Sequence, residues 1–541
     1  MARNILLITS DQQRYDSLGC NGGTVARTPV IDALAAGGVN YQRAYNQNTV
    51  CMPARSTILT GQYPRTHGVI ANGIPLPVDA PSVSAYLGDN GGYRTALLGK
   101  AHFEPGFDLG GKWEENNRAR RGDTGPWRGF DRSIQAMHSA AVTMPSFDDS
   151  PDRVVPLAHY GRWLVDNHPE YVDGFASLLI AEGGGDTGAP ETKNNPIPTA
   201  FYHTDWIADL AVAWLGGLDD SAPWFCWVSF PDPHHPWDPP ASELDRVPWQ
   251  DLSLPPGHPG SEDEIRRILG AKPAHWLGYY DGTWRNREGG PATFVPSSLT
   301  DDQIREVNAK THVMNELIDE ACGRILSTVA AKGWESDTDV LFTTDHGELQ
   351  GDMGLLFKGP YHVDALMRLP LVWRPAPSVG VSPGVVPEPV GQVDIAPTLC
   401  AIAGLPVPEW MEGQPLPESS AEAISQERER VLCEWDSQFP GYGMHLRSIV
   451  RDGWLCTVYE ESTDGKPNGL EKVMGDAALR LSGVHYQGDE GELYRLDDDP
   501  WQWENRWSEP SMRAVRDDLV ADLYAALPEG RSQPLEVEAP A

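Results

Sequence analysis

Lysine is scarce in this chain. Nine occur in 541 residues, and acidic side chains outnumber basic ones by 77 to 42. The resulting net charge of −35 repels nucleic acid and anionic membrane surfaces, so neither is expected as a partner. The same field repels an anionic substrate. Any anion site must therefore be locally positive, built from a few basic groups and a metal. No apolar run approaches the length of a membrane span. No apolar leader is visible either: Ile5–Thr9 is brief and Asp11 follows, which points to a cytoplasmic protein. The seven cysteines (Cys20, Cys51, Cys226, Cys322, Cys400, Cys433, Cys456) are odd in number and lack C-x-x-C spacing. That pattern argues against a disulfide framework and against a cysteine-based zinc site.

What is present is a recurring unit: a short, continuous apolar run that ends in polar residues. Ile5–Thr9 ends at Ser10-Asp11-Gln12. The strand around Ala96–Leu98 ends at Gly99-Lys100. Phe225–Ser229 leads into His234-His235-Pro236, and Val340–Thr344 leads into Asp345-His346-Gly347. Leu371–Trp373 is a further run of this kind. Such runs read as strands buried on both faces. Between them, Thr28 as N-cap and Pro29 in the first turn open a helix that Gly37-Gly38 stops. Ile304–Trp334 reads as a long amphipathic helix with Met314, Leu317, Ile318, Ala321 and Ile325 on one face. The alternation predicts an α/β fold with a mostly parallel central sheet flanked by helices on both faces.

Residues about 104–200 and 238–300 break this rhythm. They are rich in Gly, Pro, Asp and Trp (Trp113, Trp127, Trp163, Trp249, Trp276, Trp284). They read as long insertions that cover or line a site, or else as surface decoration or a subunit contact. From about residue 426 the texture changes again. Arg447–Val450 and Trp454–Tyr459 read as antiparallel strands joined across Arg451-Asp452-Gly453, and a last helix covers about Met512–Leu527. The expected organisation is an α/β domain over 1–425 with its insertions, then a smaller α+β domain over 426–541 with an antiparallel sheet.

In an open α/β sheet, ligands bind beyond the carboxyl ends of the strands. Asp11, Gln12, Lys100, His102, His234, Asp345 and His346 all fall there, with Lys358 a little further on. Cys51 and Arg55 belong to Cys51-Met-Pro-Ala-Arg55 at the start of another helix. Taken alone, C-x-P-x-R equally fits a buried cysteine before a loop proline. The ordered set says more: Asn4 to Gln12, Cys51 to Arg55, Gly92-Tyr93 closing on Gly99-Lys100-Ala-His102, Thr344 to Asp352, and Glu492-Leu-Tyr-Arg-Leu-Asp-Asp-Asp-Pro500. Together they resemble the formylglycine-dependent type I sulfatases of the alkaline phosphatase superfamily, close to the arylsulfatase and phosphonate monoester hydrolase branch.

The resemblance implies that a formylglycine-generating enzyme oxidises Cys51 to an aldehyde whose hydrate supplies the nucleophile. Asp11, Gln12, Asp345, His346 and an oxygen of the modified Cys51 would hold one divalent cation. Ca2+ is the first expectation, with Mn2+ or Mg2+ as alternatives, because Gln12 and His346 stand where many members carry Asp and Asn. Arg55 would hold the hydrate. Lys100 and Lys358 would grip the sulfate oxygens. His102 would act as base, and His234 would assist the leaving oxygen, with His235 in a structural role. The implied reaction is hydrolysis of an aryl or alkyl sulfate monoester, a small anionic ester. Two alternatives stand beside it: a phosphonate monoester or phosphodiester hydrolase, and a binding protein that keeps the scaffold without catalysis. A homo-oligomer is expected from the family's habits. Met52 departs from the small residue usual at that position. The tryptophan-rich insertions hint at an aryl leaving group.

Overall fold

A computed structural model describes residues 3–106, 112–138, 141–144, 153–171, 183–286, 288, 290–291, 293–437, 444–461 and 484–538. Parts of both expected insertions, including 107–111, 145–152, 172–182 and 287, lie outside the described residues.

The strands are β1 (Asn4–Ser10), β2 (Val39–Tyr45), β3 (Arg94–Gly99), β4 (Arg132–Gln135), β5 (Ala141–Met144), β6 (Arg153–Pro156), β7 (Trp224–Ser229), β8 (Thr338–Thr344), β9 (Arg368–Leu369), β10 (Leu371–Arg374) and β11 (Gly384–Gly391). Nine of them form one sheet in the order β11-β2-β10-β8-β1-β7-β3-β4, with β9 pairing to β2 outside this path. β1 lies between β7 and β8, parallel to both. β3 runs parallel to β7 and β4. β10 runs antiparallel to β8 and β2. β5 and β6 form a separate antiparallel pair.

The helices that matter for the site are α1 (Pro29–Ala36), α2 (Cys51–Thr60), α3 (Glu114–Arg121), α4 (His203–Gly217), α5 (His275–Tyr280), α6 (Asp301–Ala331) and α7 (Ile395–Ile402). Alternate residues of β1 point to opposite faces. Leu6 and Ile8 pack with Ile31, Ile207, Leu317 and Ile325 of α1, α4 and α6. Ile5 and Leu7 pack with Ile58, Leu59 and Leu399 of α2 and α7. Burial on both faces explains why these strands read as unbroken apolar runs.

Two local expectations need correction. Thr28 does not cap α1 with its side chain. Its hydroxyl accepts from Gly19 N, and the carboxylate of Asp319 on α6 takes the free amides of Val30 and Ile31 at 3.1 and 2.8 Å. A long-range carboxylate thus replaces the local cap. Met314 also departs from its expected neighbours: it packs with Val307, Leu349 and Leu356, whereas Leu317, Ile318, Ala321 and Ile325 join the sheet core.

A second, antiparallel sheet is built from β12 (Arg430–Asp436), β13 (His445–Arg451), β14 (Trp454–Tyr459) and β15 (Gly491–Arg495), in that order. Helix α8 (Arg513–Ala526) covers one face, packing Leu519 and Leu523 on Ile449, Cys456 and Leu493. The other face packs Trp435, Leu446 and Tyr459 against Trp276 and Tyr361. Trp276 and Trp284 are buried there, and Trp276 Nε1 donates to Glu492 at 3.1 Å. These two tryptophans therefore serve the seam between the second insertion and the small sheet. Among the described residues, no helix is long and apolar enough to cross a membrane.

Candidate active site

The carboxyl ends of β1, β3, β7 and β8 open on one edge of the sheet, and each delivers polar side chains there. Gly99 is required at the end of β3: its φ is +111°, and a Cβ would sit 1.9 Å from the Ser229 carbonyl oxygen. That close approach turns the chain so that Lys100 follows directly. α2 delivers its first residue, Cys51. The loop before it is held by its own side chains. Asn46 donates to Leu366 O, Asn48 to Glu434 O, and Thr49 to Gly359 O, each at 2.8 Å. Met52 is buried in the core beneath α2, and its Sδ accepts from Gly73 N at 3.1 Å, so the longer side chain is accommodated by packing.

Cys51 Sγ lies 2.9 Å from Lys358 Nζ, 3.1 Å from His346 Nε2, 3.9 Å from Asp11 Oδ1 and 4.0 Å from Lys100 Nζ. Every one of these residues is buried. Burial and Asp11 push the Cys51 thiol up to about 11, against the pull of Lys100 and Lys358. As a thiol it is therefore protonated and a poor nucleophile near neutral pH. Burial also works to raise Asp11, but Lys100, Arg55 and Lys358 outweigh it and hold the carboxyl well below the usual range.

Arg55 is the hub of the carboxylates. Nε donates to Asp345 Oδ2 at 2.9 Å and Nη2 to Asp11 Oδ2 at 3.1 Å. Nη1 donates to Lys100 O at 2.9 Å and Ser229 Oγ at 2.8 Å. Four of its five N–H groups are thus committed to orienting the two aspartates and two strand ends. Three cations, Arg55, Lys100 and Lys358, face two aspartates, so this centre is locally positive within a strongly acidic protein.

Asp11, Cys51, Asp345 and His346 present ligand atoms that all lie within 4.8 Å of one another. His346 Nδ1 donates to Gly347 O at 2.8 Å, which leaves the lone pair on Nε2, the atom that faces Cys51. Gln12 stands beside this cluster. Its backbone N donates to Asp345 Oδ1 at 3.0 Å, and its Nε2 contacts Glu348 Oε2 and, at 3.1 Å, His235 Nδ1. Its Oε1 is buried without a hydrogen-bond partner among the described residues. An orphaned buried oxygen on a residue whose backbone binds Asp345, together with the two carboxylates and the imidazole lone pair of the cluster, suits a divalent cation of oxygen and nitrogen preference.

His234 and Lys358 meet, with Nζ 2.7 Å from Nε2, and His234 Nδ1 contacts the His235 carbonyl. Both ring nitrogens of His102 lack a hydrogen-bond partner among the described residues.

A family model described as Sulfatase matches residues 3–405. The chain belongs to the sulfatase family. It is 27% identical over 444 residues to an arylsulfatase of Clostridium perfringens, covering 80% of this chain and 82% of that protein. It is 24% identical over 474 residues to the multifunctional alkaline phosphatase superfamily protein PehA of Trinickia caryophylli, covering 85% and 86%. The solved phosphonate monoester hydrolase of Agrobacterium radiobacter superposes with a TM-score of 0.73 at 23% identity, covering 97% of this chain and 95% of that one, a likeness of fold.

In this member of the sulfatase family, several residues outside the motifs complete the centre. His138 follows β4 and stacks on His234 with ring centroids 4.3 Å apart, and His234 stacks on His235 at 4.0 Å. Glu348 fixes the Gln12 amide and itself accepts from Gln350 N at 3.1 Å. Asn72 accepts from Met52 N at 3.0 Å and donates to Glu288 at 3.1 Å. The second insertion braces the Lys358 loop, with His275 Nε2 donating to Pro360 O at 2.9 Å. Glu348 lies within the Asp-His-Gly-Glu run and was within reach of sequence reading. Asn72, His138 and His275 carry no local signal.

Proposed function

We propose that this protein hydrolyses sulfate monoesters, and that Cys51 acts in its formylglycine form, made by a formylglycine-generating enzyme. One observation carries the reading: residue 51, at the start of a buried helix, is ringed by Lys358, His346, Asp11 and Lys100 within 2.9 to 4.0 Å. Formylglycine supplies a hydrated aldehyde, one of whose hydroxyls can attack sulfur while the other allows sulfate to be released. Asp11, Gln12, Asp345, His346 and residue 51 would hold a divalent cation, which would supply Lewis-acid stabilisation of the nucleophile oxygen.

The chain's own residues do the rest. Lys358 and Lys100 bind the non-bridging oxygens of the substrate and offset the charge that grows on them. Arg55 keeps Asp11 and Asp345 aligned through its hydrogen bonds to both. Lys358, backed by His234, delivers a proton to the departing alcohol oxygen. His102, with neither ring nitrogen hydrogen-bonded among the described residues, takes the proton from residue 51 when sulfate leaves.

A second reading concerns phosphorus esters. A sulfate monoester and a phosphonate monoester each carry one negative charge on a tetrahedral centre, so the same three cations suit both. The relative named as a multifunctional alkaline phosphatase superfamily protein supports a side activity of this kind.

Rates on 4-nitrophenyl sulfate and on a 4-nitrophenyl phosphonate monoester decide the order of the two. Sulfate is expected to be faster, and a phosphonate rate well above it would reverse the assignment. Mass spectrometry of the Cys51 peptide from a host that performs the modification is expected to find the aldehyde, and Cys51→Ala to lack turnover. An unmodified thiol in an active preparation contradicts the nucleophile assignment.

A further inference from the structure

Three consecutive amides converge on one carboxylate next to His102. Glu115 Oε1 accepts from Phe103 N at 2.6 Å and from Glu104 N at 3.1 Å, and Glu115 Oε2 accepts from His102 N at 3.2 Å. Glu115 is buried in the first turn of α3, within the first insertion. The clasp is reciprocal: Glu104 Oε2 accepts from Glu115 N at 2.9 Å, and Glu104 Oε1 accepts from Arg128 Nη2 at 2.9 Å. Arg128 is anchored in turn to the carbonyls of Leu76 and Pro77.

His102 needs such a clasp. Its φ is +56°, in the left-handed region that only a few per cent of non-glycine residues adopt. Among the described residues, neither of its ring nitrogens finds a hydrogen-bond partner that would set its direction. His102 nevertheless follows two residues after Lys100, whose carbonyl accepts from Arg55 at 2.9 Å and whose Nζ lies 4.0 Å from Cys51 Sγ. The direction of the His102 ring therefore derives from the backbone, and the backbone is held by Glu115.

We infer that Glu115 is a positioning residue for the reaction: by binding the amides of residues 102–104 it holds His102 in its left-handed backbone conformation, next to the end of β3 that delivers Lys100 to residue 51. The inference rests on the proposed role of His102 in proton transfer. It assigns part of the first insertion to the chemistry, where a merely packing role would have it tie the insertion to the scaffold.

The test is a double-variant cycle with 4-nitrophenyl sulfate. Glu115→Gln keeps the size of the side chain but turns one acceptor oxygen into an NH2 group facing an amide N–H. It is expected to lower kcat by about 10- to 100-fold, with KM within about threefold, because a misplaced catalytic group costs rate without weakening substrate binding. In a His102→Ala background the same change is expected to cost less than about twofold, since the two residues act as a unit. Losses that simply multiply overturn the inference. Should Glu115→Gln fail to fold, Glu115→Asp, charged but one methylene shorter, goes through the same cycle. A wild-type rate for His102→Ala removes the role of His102 and the inference with it. Retained turnover by Cys51→Ala would sink the proposed function alone. The crystal structure of Glu115→Gln then decides separately: a His102 that has left the left-handed region upholds the inference, and one that keeps it overturns it.

Discussion

Lys358 Nζ donates to His234 Nε2 across 2.7 Å. An ammonium has only donors, so Nε2 must be the accepting nitrogen, and Nδ1, against the His235 carbonyl, carries the ring proton. Burial and the neighbouring Lys358 hold His234 well below the usual imidazole range. Lys358 is itself lowered by burial, but Cys51 and Asp11 more than compensate and hold it above the ordinary lysine value. The proton of this pair therefore resides on the lysine.

That placement makes Lys358 the nearer acid and His234 its support. Lys358→Ala is expected to slow hydrolysis of an alkyl sulfate by about 100-fold or more, because an alkoxide leaves poorly without a proton. The loss on 4-nitrophenyl sulfate should be much smaller, since that phenolate leaves unaided. Equal losses on both substrates would show that Lys358 serves binding alone.

Metal removal is expected to act on both stability and turnover. A ligand held at 100 times its Kd contributes about 2.7 kcal/mol, so dialysis against a chelator should lower Tm measurably. Gln12→Ala removes the orphaned Oε1. It is expected to weaken rebinding of Ca2+ or Mn2+ by about 10-fold or more, read by calorimetry.

Acid should destabilise the fold over a defined window. Burial lowers His67 and His362 to about 3, and His275 and His312 to about 4. In the unfolded chain each titrates near 6.5, so below that pH the unfolded state binds more protons. The stabilisation is full above about pH 6.5 and is lost as pH falls towards the folded values. Each histidine approaches a slope of about 1.4 kcal/mol per pH unit. Thermal melts should therefore drop steeply between about pH 6.5 and 4.5, and His67→Gln should flatten the decline.

The small sheet is expected to matter for turnover. Asn48 ties the loop before Cys51 to Glu434 O of β12. Asn48→Ala leaves that buried carbonyl unsatisfied, at a cost of about 1–3 kcal/mol, and should lower kcat. A stable variant with full kcat would show that the tie is not needed for geometry.

The main sheet was legible where strands are buried on both faces and end in charge, as at Ser10-Asp11 and Thr344-Asp345. β11 was not legible, because Pro387 and Pro389 disguise it. It tolerates them as the edge of the sheet, where ladder donors are not needed on both sides. β2 was missed because its run contains an exposed Gln42 and no unbroken apolar stretch. The reversed direction of β10 has no signature in Leu371–Arg374 itself. The motif residues of the centre could be named from sequence, since they follow strand ends at short range. Glu115, His138 and His275 could not, because each reaches the centre from an insertion and only the folded chain brings it there. The hydrogen bonds of Arg55 to Asp11 and Asp345 have no signature in the sequence, because they join residues far apart in the chain.

Every residue of α2 is buried, and Cys51 retains 1% of its surface. The loop before it is fastened to residues as late in the chain as Glu434. No second protein can reach that sulfur once these contacts close. Any enzymatic alteration of Cys51 must therefore race the folding of its own substrate, and the fraction altered is set by the time during which the nascent chain stays open.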